Sequence, residues 1–430
     1  MRKISKRAFS VLLISFAVIA GLAFFIWQEY EDGEFWANYF SLYNSGSEGR
    51  IVDRNGVELA YFNGADSTYS ENAATRTANY HVTGDYIGRT ATGLLKEYWK
   101  SSQNYSFVAG VTKTTSSVLE LNIDSAINNK AYELLRANGK GCIMICNYRT
   151  NEVLCMVSSP SVDPLDTESE PEDGAYINRC LSAAFIPGST FKLITAAAAI
   201  ENIPDLDERT FMCYGEEKIA GVPITCTTMH GEQTFEEALA NSCNCAFAEI
   251  TVELGQDTMV KYVNDYGFLS RHAIDGITTA AGNYPTEFVG DPELGWSGIG
   301  QSTDLVNPYQ MLRYVCAIAN GGSVIEPELM KGVEPVSTPL ISEATTLKMQ
   351  KLMRNNVITH YEGEVNFPGL ELCAKTGTAE NGDGTSHSWF VGFLQDEAHP
   401  YAFVSLVENG GFGLWTSGLM MNELLQFIVN

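Results

Sequence analysis

"PGSTFKLITAAAAIE", residues 187–201, sets a serine and a lysine three positions apart ahead of an alanine-rich apolar run. Pro187-Gly188 interrupts the preceding chain, and the run after it predicts a helix over 189–202. Positions i and i+3 share a helix face, so the Lys192 nitrogen can reach the Ser189 oxygen. A helix N-terminus also favours negative charge developing there. A lysine at its ordinary pKa near ~10.4 is protonated at neutral pH and takes no proton. Burial or neighbouring cations must lower that value before Lys192 can act as a base. Alone, S-x-x-K is a common spacing, and a capping serine followed by a surface lysine accounts for it as well.

Two further stretches change that balance. "ANSCNCAF" holds Ser242 and Asn244 two apart, in a loop after a short helix that can turn both side chains into one cleft. "AKTGTAENGDG" holds Lys375, Thr376, Gly377 and Thr378 on a strand. A lysine and two hydroxyls at a sheet edge can grip a carboxylate. Gly377, lacking a side chain, would let a substrate backbone lie close. Each stretch alone reads as an ordinary helix connection or strand end. In this order, S-x-x-K, S-x-N and K-T-G are the motif set of penicillin-binding proteins and class A β-lactamases.

The rest of the chain fits an exported enzyme. It has 430 residues, enough for two or three domains, and 45% hydrophobic content, enough for a sizeable core. Its formal charge of −25 argues against a nucleic-acid surface, so an anionic substrate must be held by local cations. Arg2, Lys3, Lys6 and Arg7 precede the uncharged "AFSVLLISFAVIAGLAFFIW", residues 8–27. Twenty helical residues span roughly 30 Å, the hydrocarbon thickness. Cations before the span and acids after it put the body outside the cytoplasm. A cleaved signal peptide is the alternative, but no A-x-A-like site follows. We therefore expect residues 1–30 to be a retained signal-anchor.

Residues 31–135 alternate short strand-like runs with turns such as Arg54-Asn55-Gly56 and read as a spacer that lifts residues 136–430 off the membrane. In 136–430, "GCIMICNYRTNEVLCMVSS" (141–159) predicts a hairpin. Thr234 and Glu237 form a capping-box pattern, and Asn307, Pro308 and Gly321-Gly322 bound another helix. Three strand-like runs at 370–409 and a helix over about 416–429 close the chain. Strands at both ends with helices between predict an α+β fold, an antiparallel sheet covered by helices. The ten cysteines show no C-x-x-C pair, and most sit in apolar runs as small buried hydrophobes. Cys213 and Cys226 are the best disulfide candidates. With six histidines, none paired, no metal site is expected.

The flanking sequence extends the likeness. "NRCLSAAFIPGSTFKLITAAAAIE" (178–201), "SGIGQSTDLVNPYQMLRYVCAIANGG" (297–322) and "HSWFVGF" (387–393) resemble segments of the penicillin-binding-protein transpeptidase domain. "GRIVDRNGVELA" (49–60) and "LELNID" (119–124) resemble the membrane-proximal pedestal of class B, monofunctional members. Glu48, Leu95 and Asn122 depart from that pedestal's usual residues, which puts its partner contacts in doubt rather than the chemistry. The resemblance implies a five-stranded antiparallel sheet between helix clusters, with the cleft beside the K-T-G strand. It implies a peptidoglycan D,D-transpeptidase in which Ser189 is the nucleophile, Lys192 the base and Ser242 a proton relay. Asn244 would bind the substrate amide, and Lys375, Thr376 and Thr378 the terminal carboxylate. β-Lactams would acylate Ser189, no metal or organic cofactor is implied, and a membrane glycan polymerase is the implied partner. A D,D-carboxypeptidase shares all three motifs and stays open as an alternative. So do a β-lactam sensor and a non-catalytic scaffold, though neither has a motif of its own here.

Overall fold

The computed structural model describes residues 2–44, 48–63, 66–85, 88–95, 103–106, 110–113 and 117–430. Helix α1 (Arg2–Asn44) contains the apolar run. Within it Ile4–Glu31, with mean hydropathy 2.7, is exposed throughout. It is the one helix among the described residues long and apolar enough to cross a membrane.

Strands β1 (Glu48–Val52), β2 (Glu58–Asn63), β3 (Asp66–Tyr69) and β4 (Ser117–Glu120) form a small sheet in the order β3-β2-β1-β4. The turn at Arg54-Asn55-Gly56 is held by Asp53, whose Oδ1 accepts from the amides of Asn55 (2.9 Å) and Val57 (2.8 Å). Its Oδ2 accepts from the amide and hydroxyl of Ser125, so the same carboxylate also ties down the start of a later helix. Asn122, one of the departures, donates from Nδ2 to the carbonyls of Glu328 and Met330, both at 3.1 Å. A threonine hydroxyl has one proton and could not make both bonds. Leu95 is buried in the core, whereas the side chain of Glu48 lies outside the described residues.

Helices α2 (Ala73–Thr83) and α3 (Ser125–Asn138) lead into the hairpin β5 (Gly141–Asn147) and β6 (Val153–Ser159). Next come α4 (Lys192–Asn202), the short strands β7 (Thr210–Cys213), β8 (Glu216–Ile219), β9 (Val222–Thr225) and β10 (Gly231–Thr234), then α5 (Phe235–Ala240) and α6 (Asn244–Leu254). Helices α7 (Pro308–Ala319) and α8 (Glu343–His360) precede β11 (Leu372–Glu380), β12 (Ser386–Leu394), β13 (Tyr401–Val407) and α9 (Leu419–Val429).

The central sheet has the order β11-β12-β13-β5-β6 and is antiparallel throughout. Strands from the two ends of this region thus meet in one sheet, with β11 at an edge. Side chains alternate between two separate cores. Cys142, Met144, Trp389, Val391 and Val404 face α4 and α7, while Ile143, Ile145, Phe390 and Phe403 face α3 and α9. With both faces covered, the strands read as unbroken apolar runs and lose the alternation of a half-exposed sheet.

The caps also form as the spacing predicts. Thr234 and Glu237 complete a capping box, and Asn307 caps α7 with Pro308 in its first turn. The last helix begins later than expected, because a turn of π geometry over Leu414–Gly418 precedes it.

Candidate active site

The serine stretch is not one continuous helix. Gly188–Thr190 forms a single 3-10 turn and α4 starts at Lys192. Gly188 has φ +52°, and its amide donates to the Gly300 carbonyl at 3.0 Å. A Cβ on Gly188 would lie 2.8 Å from the Thr378 carbonyl, and one on Gly300 2.3 Å from the Gly188 carbonyl. Two glycines therefore let the turn sit between the β11 edge and the 297–301 segment. The Trp389 indole donates to the Ile186 carbonyl at 2.9 Å and fixes the chain just before the turn. The result is a half-buried Ser189 on a rigid support, above a Lys192 with no solvent exposure.

Lys192 Nζ lies 3.0 Å from Ser189 Oγ, 3.2 Å from Ser242 Oγ, 2.6 Å from the Ser242 carbonyl and 2.7 Å from Asn244 Oδ1. Lys375 Nζ, equally buried, lies 2.9 Å from the same Ser242 Oγ and 3.0 Å from the Thr376 carbonyl. Ser242 thus bridges the two lysines. It does so from the left-handed region, φ +53°, in the loop between α5 and α6. Burial lowers the Lys192 pKa to about 8, against the opposing pull of Cys226, Cys243 and Cys245. Burial, with the field of Lys192 second, holds Lys375 well below its ordinary value.

Five of the eight residues expected from sequence, Ser189, Lys192, Ser242, Asn244 and Lys375, form one hydrogen-bonded group. The other three lie beside it on β11 with different contacts. Thr376 turns to Tyr361, whose hydroxyl is 3.1 Å from Thr376 Oγ1 and accepts from the Thr376 amide at 3.0 Å. Sequence reasoning missed Tyr361 because nothing near it in sequence signals a partner on β11. Thr378 Oγ1 accepts from the Gly413 amide at 3.2 Å.

Gly377 is also constrained by packing within the fold. A Cβ there would meet the Pro187 carbonyl and Thr190 Cγ2, both at 2.9 Å, and Trp389 Cβ at 3.0 Å. The bare Cα makes room for the Ser189 turn. Gly377→Ala is expected to cost about 1–3 kcal/mol by overpacking. It should also slow acylation by shifting the serine. Thermal unfolding and the rate of penicillin labelling check this, and unchanged values in both would remove the packing role.

Nine of the ten cysteines are buried, as their apolar surroundings predict, but the expected pairing does not form. All ten are free thiols, so the Cys213–Cys226 disulfide is absent. Each of the two has another sulfur as neighbour: Cys213 has Cys245 at 3.6 Å and Cys226 has Cys243 at 3.9 Å. Against the expectation of no metal site, ligand atoms of Cys213, Cys226, His230 and Cys243 lie within 4.8 Å of one another.

A serine beside a buried lysine, an edge-strand lysine, and a loop serine bridging the two lysines thus form one site at the β11 edge of the sheet. The family model for the penicillin binding protein transpeptidase domain matches residues 141–426, and the chain belongs to that family. Stage V sporulation protein D of Bacillus subtilis is 32% identical over 276 residues, covering 61% of this chain and 42% of that protein. Peptidoglycan D,D-transpeptidase PbpA of Mycobacterium tuberculosis is 29% identical over 325 residues, 65% of this chain and 64% of that protein. The chain thus spans less than two thirds of the length of either relative. Among solved structures, that of PBPA from M. tuberculosis superposes with a TM-score of 0.75 at 21% identity, covering 90% of this chain and 100% of the other. The penicillin G acyl-enzyme complex of the M. tuberculosis protein gives 0.74 at 22% identity, with the same coverage.

Proposed function

We propose that this chain is a peptidoglycan D,D-transpeptidase, anchored by residues 1–30, raised on a pedestal of residues 31–135 and catalytic through residues 136–430. The observation that carries the reading is the 3.0 Å contact between Ser189 Oγ and a fully buried Lys192 Nζ. A buried lysine loses its proton far more readily than an exposed one, and a serine needs such a base to become a nucleophile. The family match and the relatives named D,D-transpeptidases support it.

In the proposed reaction Lys192 takes the hydroxyl proton as Ser189 Oγ attacks the carbonyl between two D-alanines. Ser242 passes a proton to the nitrogen as the C–N bond breaks, and D-alanine leaves. An acceptor amine then attacks the ester, forms the cross-link and returns the hydroxyl to Ser189. Backbone amides of Ser189 and Thr378 act as the oxyanion hole, where one donor is worth about 3–4 kcal/mol. Asn244 holds the substrate amide. Lys375, with Thr376 and Thr378, takes the terminal carboxylate, which restores the proton that burial disfavours. This local cation answers the charge of −25. β-Lactams acylate the same serine, as the acyl-enzyme complex of the M. tuberculosis protein suggests. The catalytic region lies outside the cytoplasm, and a membrane glycan polymerase supplies its strands.

The test uses the full chain in detergent, a D-alanyl-D-alanine stem-peptide donor and an acceptor amine. Cross-linked dimer in the mass spectrum is the expected product. Free D-alanine and shortened donor without dimer would make the chain a carboxypeptidase.

A further inference from the structure

We propose that Cys213, Cys226, His230 and Cys243 form a structural zinc site that braces the loop carrying Ser242 and Asn244. The cluster stands on its own geometry and does not depend on the acyl-enzyme chemistry.

The four donors come from separate places. Cys213 ends β7, Cys226 follows β9, His230 precedes β10, and Cys243 is the residue before α6. Their ligand atoms nevertheless lie within 4.8 Å of one another. Tetrahedral zinc has Zn–S near ~2.3 Å and Zn–N near ~2.0–2.1 Å, which puts two sulfurs about 3.8 Å apart and a sulfur and a nitrogen about 3.6 Å apart. Cys226 Sγ is 3.9 Å from Cys243 Sγ and 3.5 Å from His230 Nδ1. Three thiols and one imidazole are the ligand set of closed, structural zinc, with no open position for chemistry.

The rival is a pair of disulfides, Cys226–Cys243 and Cys213–Cys245, which the compartment would permit. Disulfides leave His230 without a reason to approach Cys226. The outer contacts also suit a thiolate, since the Asn244 amide donates to Cys226 Sγ at 3.2 Å. Such a bond fixes a ligand's orientation.

The cluster abuts the catalytic loop directly. Ser242 and Asn244 flank Cys243, and Asn244 Nδ2 donates to the carbonyl of Thr225, the residue before Cys226, at 2.9 Å. One ion would tie two strand ends and a loop to the start of α6. That tie would hold Ser242 in its left-handed conformation between the two lysines.

The full chain, purified in detergent without added metal or chelator, is expected to hold one zinc per chain by elemental analysis. Cobalt exchange should give a near-ultraviolet thiolate-to-cobalt band. Cys226→Ser should lower the zinc to near zero, and His230→Ala should speed its loss to a chelator. Stripping should slow penicillin labelling at least tenfold, and returned zinc should restore it. Metal-free wild-type chain whose unreduced mass is two hydrogens lower per sulfur pair would overturn the site in favour of disulfides. Zinc that can be stripped with no change in labelling would overturn the bracing role. The wild-type measurements decide even if the variants do not fold.

Discussion

Ser189→Ala is expected to give no covalent adduct with penicillin at any incubation time, while the wild-type chain gains one drug mass on the peptide containing residue 189. The effect is all-or-none because the substitution removes the atom that forms the ester. Few other hydroxyls are placed to replace it. Ser242 Oγ is also close to Lys192, at 3.2 Å, but it is shared with Lys375 at 2.9 Å. A hydroxyl held between two buried lysine nitrogens is engaged from both sides and is a poor nucleophile. Thr190 is fully buried and donates to the Pro187 carbonyl at 2.8 Å. Folding should survive, because Ser189 is half-buried and its loss leaves Lys192 three other oxygen partners. Intact-mass spectra with thermal unfolding separate these effects. An adduct of undiminished yield on the variant would remove Ser189 from the mechanism.

The parts of this site legible in the sequence are those set by local spacing. Ser189 and Lys192 are one turn apart, so any helix-like conformation brings them together. The strands of the central sheet were legible as apolar runs, and their antiparallel order followed from placing helices between two groups of strands. Long-range contacts gave no such signal. The packing of Gly377 is one case: nothing in "AKTGT" tells which neighbour sits against it, and only the fold brings in Pro187 and Thr190. Tyr361 meets Thr376 through the last turn of α8 packing on β11, a contact with no counterpart in local pattern. The grouping of Cys213, Cys226, His230 and Cys243 gives no local signal for the same reason. Zinc-binding spacings are recognised when ligands come in close pairs, and here only Cys226 and His230, four positions apart, carry such a hint. Cys213 and Cys243 are brought in by a strand end and a helix start.

Lys192→Ala is expected to slow penicillin labelling by about 10²–10⁴-fold, the usual contribution of a positioned general base. That corresponds to about 2.7–5.5 kcal/mol of barrier. The pH profile distinguishes a base from a packing residue. With its pKa lowered to about 8, Lys192 is mostly charged at pH 7 and mostly neutral at pH 9. Only the neutral amine accepts a proton, so the wild-type labelling rate should climb with pH and level off above about 8 to 9. The sign for stability is the same. Between about pH 8 and the ordinary 10.5 the unfolded lysine holds a proton that the folded one has lost, so the folded chain gains stability as pH rises across that window. Lys192→Ala removes the rate dependence and this lysine's share of the stability dependence, leaving the share of Lys375, whose pKa burial also lowers. A residue that merely fills space would leave the slope of the rate profile intact. Alanine also strands the Ser242 carbonyl and Asn244 Oδ1, and each unmet acceptor costs about 1–3 kcal/mol. Lys192→Arg controls for that loss, since it keeps the donors and the charge but never deprotonates near neutral pH. Both variants should therefore be slow, and both should be flat between pH 7 and 9. A rate that still climbs through pH 8 in either one would place the base elsewhere, with Lys375 the next group to test.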